Sequence, residues 1–336
     1  MTEETRGGRD RGAEADARAD TFFSGRRKRL LLIASTGGHL SQLVRLARRE
    51  GAADDSMWVT FDSPQSRSML AGRRVTLVDY VAPRDLRGTL SAYRRLEAAL
   101  DPAEFDGAMS TGAAVGLAGL AWARRHGLPR VYVESVSRTD GPSLTGRIVR
   151  RLRLAETYTQ HRAWASRAWR PTASVLQDFD PPNPYFRRAP GQSIRIFVTL
   201  GTIRPYRFDR LVDRVVEISR PGDEIVWQLG ETSRDDLPGR AHELIGADEM
   251  LEVAKASDVV ITHSGVGTIL QLLDEGISPV VVPRRRAHGE HVDDHQLQIW
   301  TLLRDSGIAF PVEVEELTRE TLAASASARP RRSEQA

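Results

Sequence analysis

A strand, a loop of small residues and a helix follow one another in residues 259–270, which read VVITHSGVGTIL. The apolar run 259–261 predicts a buried strand, and the glycines after it predict a turn into a helix that opens at Ile269. Free backbone N–H groups and the dipole at a helix N-terminus attract a phosphate. We therefore predict a diphosphate-binding loop formed by His263, Ser264, Gly265, Gly267 and Thr268.

A second apolar strand, 280–282, ends at Pro283 and leads into a polar loop. In a parallel sheet this loop leaves the same edge as the diphosphate-binding loop. Carboxylate and amide groups suit contacts to sugar hydroxyls, so the loop predicts a sugar site at Glu290, His291, Asp294 and Gln296. A metal site at His291 and His295 is the alternative. We predict no metal, because no Asp-x-Asp motif stands at a strand end.

Two more strands of the second half end in candidate donor contacts. Strand 194–199 runs into Gly201 and Thr202, which would face the same diphosphate across the cleft. Strand 224–228 ends at Gln228, on the side expected for a nucleotide base. The edge of this sheet thus collects candidate contacts for a diphosphate, a sugar and a nucleotide base.

The first half of the chain opens with the same arrangement. Strand 30–34 runs into Gly37 and Gly38, which permit a tight turn and a close approach to the backbone, and His39 follows at the helix start. An imidazole with a pKa of about 6.5 suits removal of a proton from an attacking hydroxyl. A local hydrogen bond at the helix start is the alternative role for His39. Glu134, which ends strand 130–134, is either a rival base or an N-cap.

Strand and helix patterns alternate from Leu30 onward, which predicts an α/β fold with parallel sheets. A chain of 336 residues suits two domains, and we predict them at 28–176 and 193–325, joined by a proline-rich linker at 177–192. Residues 1–27 and 326–336 are predicted to be disordered tails. A ligand cleft between the carboxyl ends of the two sheets is the expected geometry.

Composition excludes several classes of protein. A formal net charge of +3 gives no argument for nucleic acid, and the absence of cysteine excludes disulfides and cysteine-based metal sites. No run approaches the roughly 18 apolar residues of a transmembrane helix. We expect a cytoplasmic protein at the inner face of the cell membrane. The segment from Arg147 to Arg153 predicts either an amphipathic helix on an anionic membrane or an ordinary surface helix.

These motifs resemble those of glycosyltransferase family 28. VTLGT at 198–202, VVITHSGVGTIL at 259–270 and EHVDDHQ at 290–296 resemble its donor-binding domain. STGGHLSQL at 35–43, STGAAVG at 110–116 and YVES at 132–135 resemble the acceptor-side partner that some members carry as a separate protein. The chain is similar to a fusion of the two halves of a lipid-linked N-acetylglucosaminyltransferase or exopolysaccharide glycosyltransferase pair.

The resemblance implies two Rossmann-like domains facing across a cleft, the GT-B fold. It implies an inverting, UDP-sugar-dependent hexosyltransferase that acts without a cofactor on a polyprenyl-diphosphate-linked saccharide in cell-surface polysaccharide biosynthesis. His39 or Glu134 would be the base, and Asp294 with Gln296 would hold the donor sugar. Acceptor contacts would come from the turns of the first half, at Gly37, Gly38, Thr111, Gly112 and Ser135.

One position departs from the family pattern. Related donor domains often carry a ribose-binding Glu where this chain has Gln271, and an amide lacks the charge-assisted strength of a carboxylate. Two other functions stay open. A UDP-sugar epimerase of the same fold would act on the nucleotide-sugar alone, and a non-catalytic nucleotide-sugar-binding subunit would need a partner.

Overall fold

The computed structural model describes residues 22–23, 28–82, 84–184, 193–201, 205–291 and 295–332. Their strands form two parallel sheets and one short antiparallel ribbon. The first sheet has the order β3-β2-β1-β4-β5-β6-β7. Its strands are β1 (Leu30–Ala34), β2 (Met57–Phe61), β3 (Arg74–Val78), β4 (Gly107–Gly112), β5 (Arg130–Val133), β6 (Glu156–Thr159) and β7 (Arg170–Pro171).

The second sheet has the order β11-β10-β9-β12-β13-β14, and the ribbon pairs β8 with β15. These strands are β8 (Phe179–Pro184), β9 (Arg195–Thr199), β10 (Glu224–Gln228), β11 (Arg240–His242), β12 (Val259–His263), β13 (Val280–Val282), β14 (Phe310–Pro311) and β15 (Ala328–Arg332). The central strands β1 and β13 are buried along their whole length, as expected for parallel strands covered on both faces. The predicted fold class, two Rossmann-like domains, is confirmed.

Ten helices cover these sheets within the described residues. Those of the first half are α1 (Gly38–Glu50), α2 (Pro64–Met69), α3 (Leu86–Ala99), α4 (Ala113–Arg125) and α5 (Leu144–Arg151). Those of the second half are α6 (Asp209–Ile218), α7 (Ala247–Ala256), α8 (Val266–Asp274), α9 (His295–Ser306) and α10 (Arg319–Ala326). No helix in the described ranges is long and apolar enough to cross a membrane.

Each sheet has one point where the strand order reverses. In the first sheet it lies between β1 and β4, and in the second between β9 and β12. Connections leave such a pair of strands in opposite directions, which opens a crevice at their carboxyl ends. The loops that follow these four strands are therefore the ones that the fold itself presents to a ligand.

Helices α1 and α8 join the two halves through one hydrophobic core. Leu40 and Leu43 of α1 belong to the same buried cluster as Ile269 and Leu270 of α8. The helices also approach closely at their N-termini, where a methyl group on Gly38 would lie 3.2 Å from the Cβ of Val266. The relative position of the two sheets is thus set by buried apolar contact.

A buried arginine strengthens the same junction. The Arg45 side chain on α1 is 9% exposed and pairs with Asp178 at 3.0 Å, where the chain leaves the first half. Its other terminal nitrogen pairs with Asp274 on α8. The guanidinium also lies 4.4 Å from the ring centre of Phe179. One side chain therefore connects both halves and the segment that joins them.

The structure differs from the predictions at the linker and at both tails. Phe179–Pro184 is a strand paired antiparallel with Ala328–Arg332, so both the linker and the C-terminal tail contain regular structure. Proline is tolerated in such a ribbon because each strand has an unpaired edge. In the N-terminal tail, Phe23 is buried, and Glu50 accepts hydrogen bonds from the backbone of Phe22 and Phe23. Residues 1–21, 24–27, 185–192 and 333–336 lie outside the described residues.

Candidate functional site

His39 lies at the strand-order reversal of the first sheet, held against the end of β4. Its Nδ1–H donates to the carbonyl oxygen of Thr111 at 2.7 Å, and the Thr111 hydroxyl donates to the carbonyl of His39 at 2.8 Å. Because a carbonyl can only accept, the neutral imidazole carries its proton on Nδ1. Its Nε2 therefore has a free lone pair, which is the arrangement a general base needs.

Burial lowers the pKa of His39 below 6.5, the Thr111 carbonyl opposes this shift, and the positive charge of Arg138 adds to it. The imidazole is therefore neutral at pH 7. The turn beside it needs glycine, because Gly112 has φ 127° and a Cβ there would lie 2.9 Å from Cε1 of His39. Ala113, which follows, also has a positive φ of 64°. Backbone strain of this kind is typical of functional turns.

Glu134, the rival candidate base, is 1% exposed and surrounded by donors. Its carboxylate accepts from the backbone and hydroxyl of Ser143 at 2.9 and 3.0 Å, from the backbone of Ser135 at 3.2 Å and from the hydroxyl of Tyr132 at 3.1 Å. Burial raises its pKa, and these hydrogen bonds oppose the shift. The arrangement suits a carboxylate that fixes the loop before α5.

The remaining residues predicted for the acceptor side lie around the first turn of α1. Gly37 is the N-cap of α1, and its N–H donates to Gln65 at 2.6 Å. The buried Gln42, which sequence reasoning missed, donates to the carbonyl of Gly38 and to the hydroxyl of Ser135, each at 3.0 Å. Gln42 lies one helical turn after Gly38, so a polar residue on a helix face that is otherwise buried was the available signal.

His263 lies at the strand-order reversal of the second sheet, next to Gly201. Burial, and next the positive charge of Arg284, lower its pKa from 6.5 to about 3. A Cβ at Gly201 would lie 2.8 Å from its Nε2, and one at Gly265 would lie 2.3 Å from it. The imidazole therefore fills the space that two glycines leave, as a neutral group. Thr202 lies outside the described residues.

The N-terminus of α8 carries the predicted diphosphate-binding loop. Gly265 is its N-cap, no side chain caps the helix, and Gly267 and Thr268 lie in its first turn. A Cβ at Gly267 would lie 3.2 Å from the backbone nitrogen of Gly38. The N-termini of α1 and α8 thus abut. Two positive dipole ends in contact favour an anion beside them.

Three residues predicted as donor contacts have partners inside the protein. Glu290 pairs with Arg210 at 2.8 Å and accepts from the backbone of Arg285 at 2.8 Å. Gln228 bridges Thr199, at 2.9 Å, to the backbone of Ile245, at 3.1 Å. The side-chain oxygen of Gln296 accepts from the backbone of Arg284 at 3.0 Å, and Gln296 lies in α9 rather than in a loop. In the structure these three side chains stabilise the elements that surround the candidate site.

Gln271 and His291 are placed differently. Gln271 lies on α8 and lines a cavity of about 160 Å³ between α1 and α8, together with Ser41 and Arg45. The His291 ring lies 5.9 Å from the ring of Tyr206. Asp294 lies outside the described residues. Within the described ranges no three His, Asp or Glu side chains come together as a metal site. The expectation that no metal is needed stays a prediction.

Comparison with known proteins identifies the second half. Residues 195–333 match the glycosyltransferase family 28 C-terminal domain. The second half of the chain therefore contains a family 28 C-terminal domain. This family 28 domain begins at Arg195, the first residue of β9, so it contains the whole second sheet with Gly201, the His263 loop and Arg284.

A curated relative supports this assignment. The UDP-N-acetylglucosamine--N-acetylmuramyl-(pentapeptide) pyrophosphoryl-undecaprenol N-acetylglucosamine transferase of Burkholderia multivorans is 27% identical over 177 residues. That alignment covers 48% of this chain and 46% of the relative, so the chain spans about half the length of the curated relatives it matches.

Solved structures show that the fold extends over both halves. MurG of Acinetobacter baumannii matches with a TM-score of 0.52 and 17% identity, over 90% of this chain and 94% of MurG. A UDP-N-acetylglucosamine 2-epimerase, described as putative, from Listeria monocytogenes matches with a TM-score of 0.50 and 14% identity, over 91% of each chain. Since a transferase and an epimerase share this fold, the fold alone does not select between the two reactions. The family 28 match does favour transfer.

Proposed function

We propose that this protein is an inverting hexosyltransferase that moves a sugar from a UDP-sugar to a polyprenyl-diphosphate-linked saccharide in cell-surface polysaccharide biosynthesis. The family 28 domain at 195–333 supports sugar transfer. The Burkholderia multivorans relative bears the name of a transferase that uses UDP-N-acetylglucosamine and a pyrophosphoryl-undecaprenol acceptor. The class of donor and the class of acceptor in this proposal follow that name.

The observation that carries the proposal is the position of His39. Its Nδ1–H is held by the Thr111 carbonyl at 2.7 Å, so its Nε2 is free to accept a proton. The same turn abuts the N-terminus of α8, since Gly38 and Gly267 are in close contact. A base on one helix start and an anion-binding helix start on the other meet at one place. A transfer from a sugar diphosphate to a hydroxyl needs both groups together.

In the proposed reaction the acceptor hydroxyl attacks the anomeric carbon of the donor from the face opposite the diphosphate. The new carbon–oxygen bond forms as the bond to the diphosphate oxygen breaks, which inverts the anomeric centre. The hydroxyl proton passes to Nε2 of His39, and the bonding electrons leave with UDP. First-turn N–H groups of α8 then stabilise the charge that develops on the departing diphosphate.

Gln271 is proposed to contact the donor ribose from α8. Its amide can accept one hydrogen bond and donate another, where a carboxylate would accept two charge-assisted bonds. We therefore expect weaker nucleotide binding than a Glu at this position would give. Gln271→Glu is the variant that tests this contact.

The test of the proposed function is a transfer assay with a panel of donors. UDP-glucose, UDP-N-acetylglucosamine, UDP-glucuronic acid and GDP-mannose are offered with polyprenyl-diphosphate-linked acceptors. Transfer should occur with one UDP-sugar, and His39→Ala should lower kcat about 100-fold or more while UDP binding stays nearly unchanged. Thr111→Ser keeps the carbonyl that holds His39 and serves as the matched control.

Other outcomes have distinct meanings. Turnover of a UDP-sugar without any acceptor would indicate an epimerase in place of a transferase. Full activity in His39→Ala would show that another residue is the base, and Glu134 would be the next residue to test. If the wild-type protein does not bind UDP, the donor assignment is wrong.

A further inference from the structure

Arg284 is the most unusual charged residue in the described part of the chain. It follows β13, is 0% exposed, and its Nε and Nη1 groups are buried with no hydrogen-bond partner among the described residues. Its Nη2 group donates to the carbonyl of Gly201 at 3.0 Å. A buried guanidinium with two unpaired donors is costly, because water no longer solvates the charge.

The position of Arg284 places this charge across the candidate site. Arg284 follows β13, and its partner Gly201 follows β9, while β12 lies between these two strands. The guanidinium therefore passes over the carboxyl end of β12, where His263 is found. Its charge lowers the pKa of His263, which shows that the two groups are close. Arg284 thus lies at the carboxyl edge of the second sheet, beside His263.

The nearby carboxylate does not neutralise Arg284. Glu290 forms its ion pair with Arg210, at 2.8 Å, accepts from the backbone of Arg285, and acts on Arg284 through its charge. No described carboxylate forms an ion pair with Arg284, and its guanidinium carbon lies 5.6 Å from the ring centre of Phe208. Burial lowers the pKa of Arg284 to about 10, so the charge of Glu290 compensates the buried cation only in part.

Ser264 provides a second, independent sign of a missing partner. Within the described part of the chain its hydroxyl is buried with no hydrogen-bond partner, and Ser264 lies in the loop that leads into α8. His263 and Val282 pair in register, so Ser264 and Arg284 leave adjacent strands at the same edge. Two unsatisfied groups with hydrogen-bond donors, one of them cationic, therefore lie at the same edge of the sheet.

We infer that Arg284, with the Ser264 hydroxyl, binds the diphosphate of the donor nucleotide and carries the charge of the leaving group. An Arg guanidinium suits this task because its planar donors match phosphate oxygens. The charge on the diphosphate grows as the sugar departs, so a fixed cation stabilises the transition state more than the bound donor. The inference rests on the proposed function, since it assigns the donor of that same site.

The experiment measures binding of uridine, UMP and UDP by calorimetry to the full-length protein. Wild-type protein should bind UDP more tightly than uridine, and Arg284→Met should remove most of that gain, about 10-fold to 100-fold, with uridine unaffected. Arg284→Lys, which keeps the charge, should restore part of it. Arg285→Gln is the matched control, because the Arg285 side chain pairs with Glu313 and is not an unpaired buried cation.

Each outcome is decisive. If Arg284→Met keeps the full difference between UDP and uridine, the inference is wrong. If wild-type protein binds no UDP, the proposed function fails first, and the inference fails with it. If Arg284→Met does not fold, UDP binding is measured for Arg284→Lys and Ser264→Ala instead. Unchanged UDP binding in both variants overturns the assignment.

Discussion

Acidification should destabilise this protein through His263. Its pKa is lowered from 6.5 to about 3, by burial and next by the charge of Arg284. Below pH 6.5 the unfolded chain binds a proton at this imidazole and the folded chain does not. The folded state with neutral His263 therefore has its full stability above pH 6.5, and this stability falls as the pH is lowered toward 3. Each pH unit in this window costs about 1.4 kcal/mol, so pH 5.0 should cost about 2 kcal/mol.

Guanidinium chloride unfolding at pH 7.5 and pH 5.0 measures this loss. The comparison is between wild-type protein and His263→Asn, which keeps a polar side chain but cannot titrate. Burial also lowers the pKa values of His39 and His161, and these two groups contribute equally to both proteins. His242→Asn, at an exposed position of β11, is the matched control and should behave as wild type.

The difference between the two proteins decides the matter. Wild-type protein should lose about 2 kcal/mol more than His263→Asn between the two pH values. Equal losses would show that His263 is not held neutral by burial, and the description of the second site as a dry, positively charged crevice would then be wrong. Titration of the imidazole followed by NMR would give the same answer directly.

Two further predictions concern the first half. Glu50→Ala leaves the buried Lys28, which is 2% exposed, without its partner, and should lower the free energy of unfolding by about 3–5 kcal/mol. The control variant Asp62→Asn, in an exposed pair with Arg67, should have no measurable effect on the same quantity. A Glu50→Ala cost below about 1 kcal/mol would contradict this. The second prediction concerns α5, where Leu144 and Leu152 are exposed beside Arg147 and Arg150. The double variant Arg147→Gln/Arg150→Gln should weaken sedimentation with anionic vesicles at low salt about 10-fold or more. The control double variant Arg220→Gln/Arg240→Gln, also at exposed positions, should sediment like the wild-type protein. Equal effects of the two double variants would exclude α5 as the membrane contact.

Much of this fold follows from local pattern. Runs such as 30–34 and 259–261 are apolar over every residue, and glycine follows each of them within a few residues. That pattern predicts a buried parallel strand and the turn after it, and the turns contain His39 and the His263 loop. Pairing between distant segments has no such local signal. The ribbon of Phe179–Pro184 and Ala328–Arg332 joins segments whose composition is typical of a linker and of a disordered tail.

The direction in which a side chain points was the second property that the sequence could not predict. A strand end predicted a donor contact for Gln228, and the polar loop after strand 280–282 predicted one for Glu290. Nothing in the sequence indicated the contacts that both side chains make inside the protein. The reverse holds for Arg284, one of three consecutive arginines that composition cannot tell apart. Arg285 pairs with Glu313, whereas Arg284 is wholly buried. Only the packing around each guanidinium distinguishes a surface charge from a group that lacks its partner.

The arrangement of α1 and α8 explains why both halves are needed at one site. Base catalysis loses its value if the base moves by about an ångström from the reacting hydroxyl. The proposed base, His39, belongs to one half and the proposed diphosphate-binding loop to the other, so the distance between them depends on the junction. That junction has apolar contacts along α1 and α8, and Arg45 pairs across it with Asp178 and Asp274. Glycine at 38 and 267 lets the two helix starts come into contact, which is what the proposed mechanism requires of them.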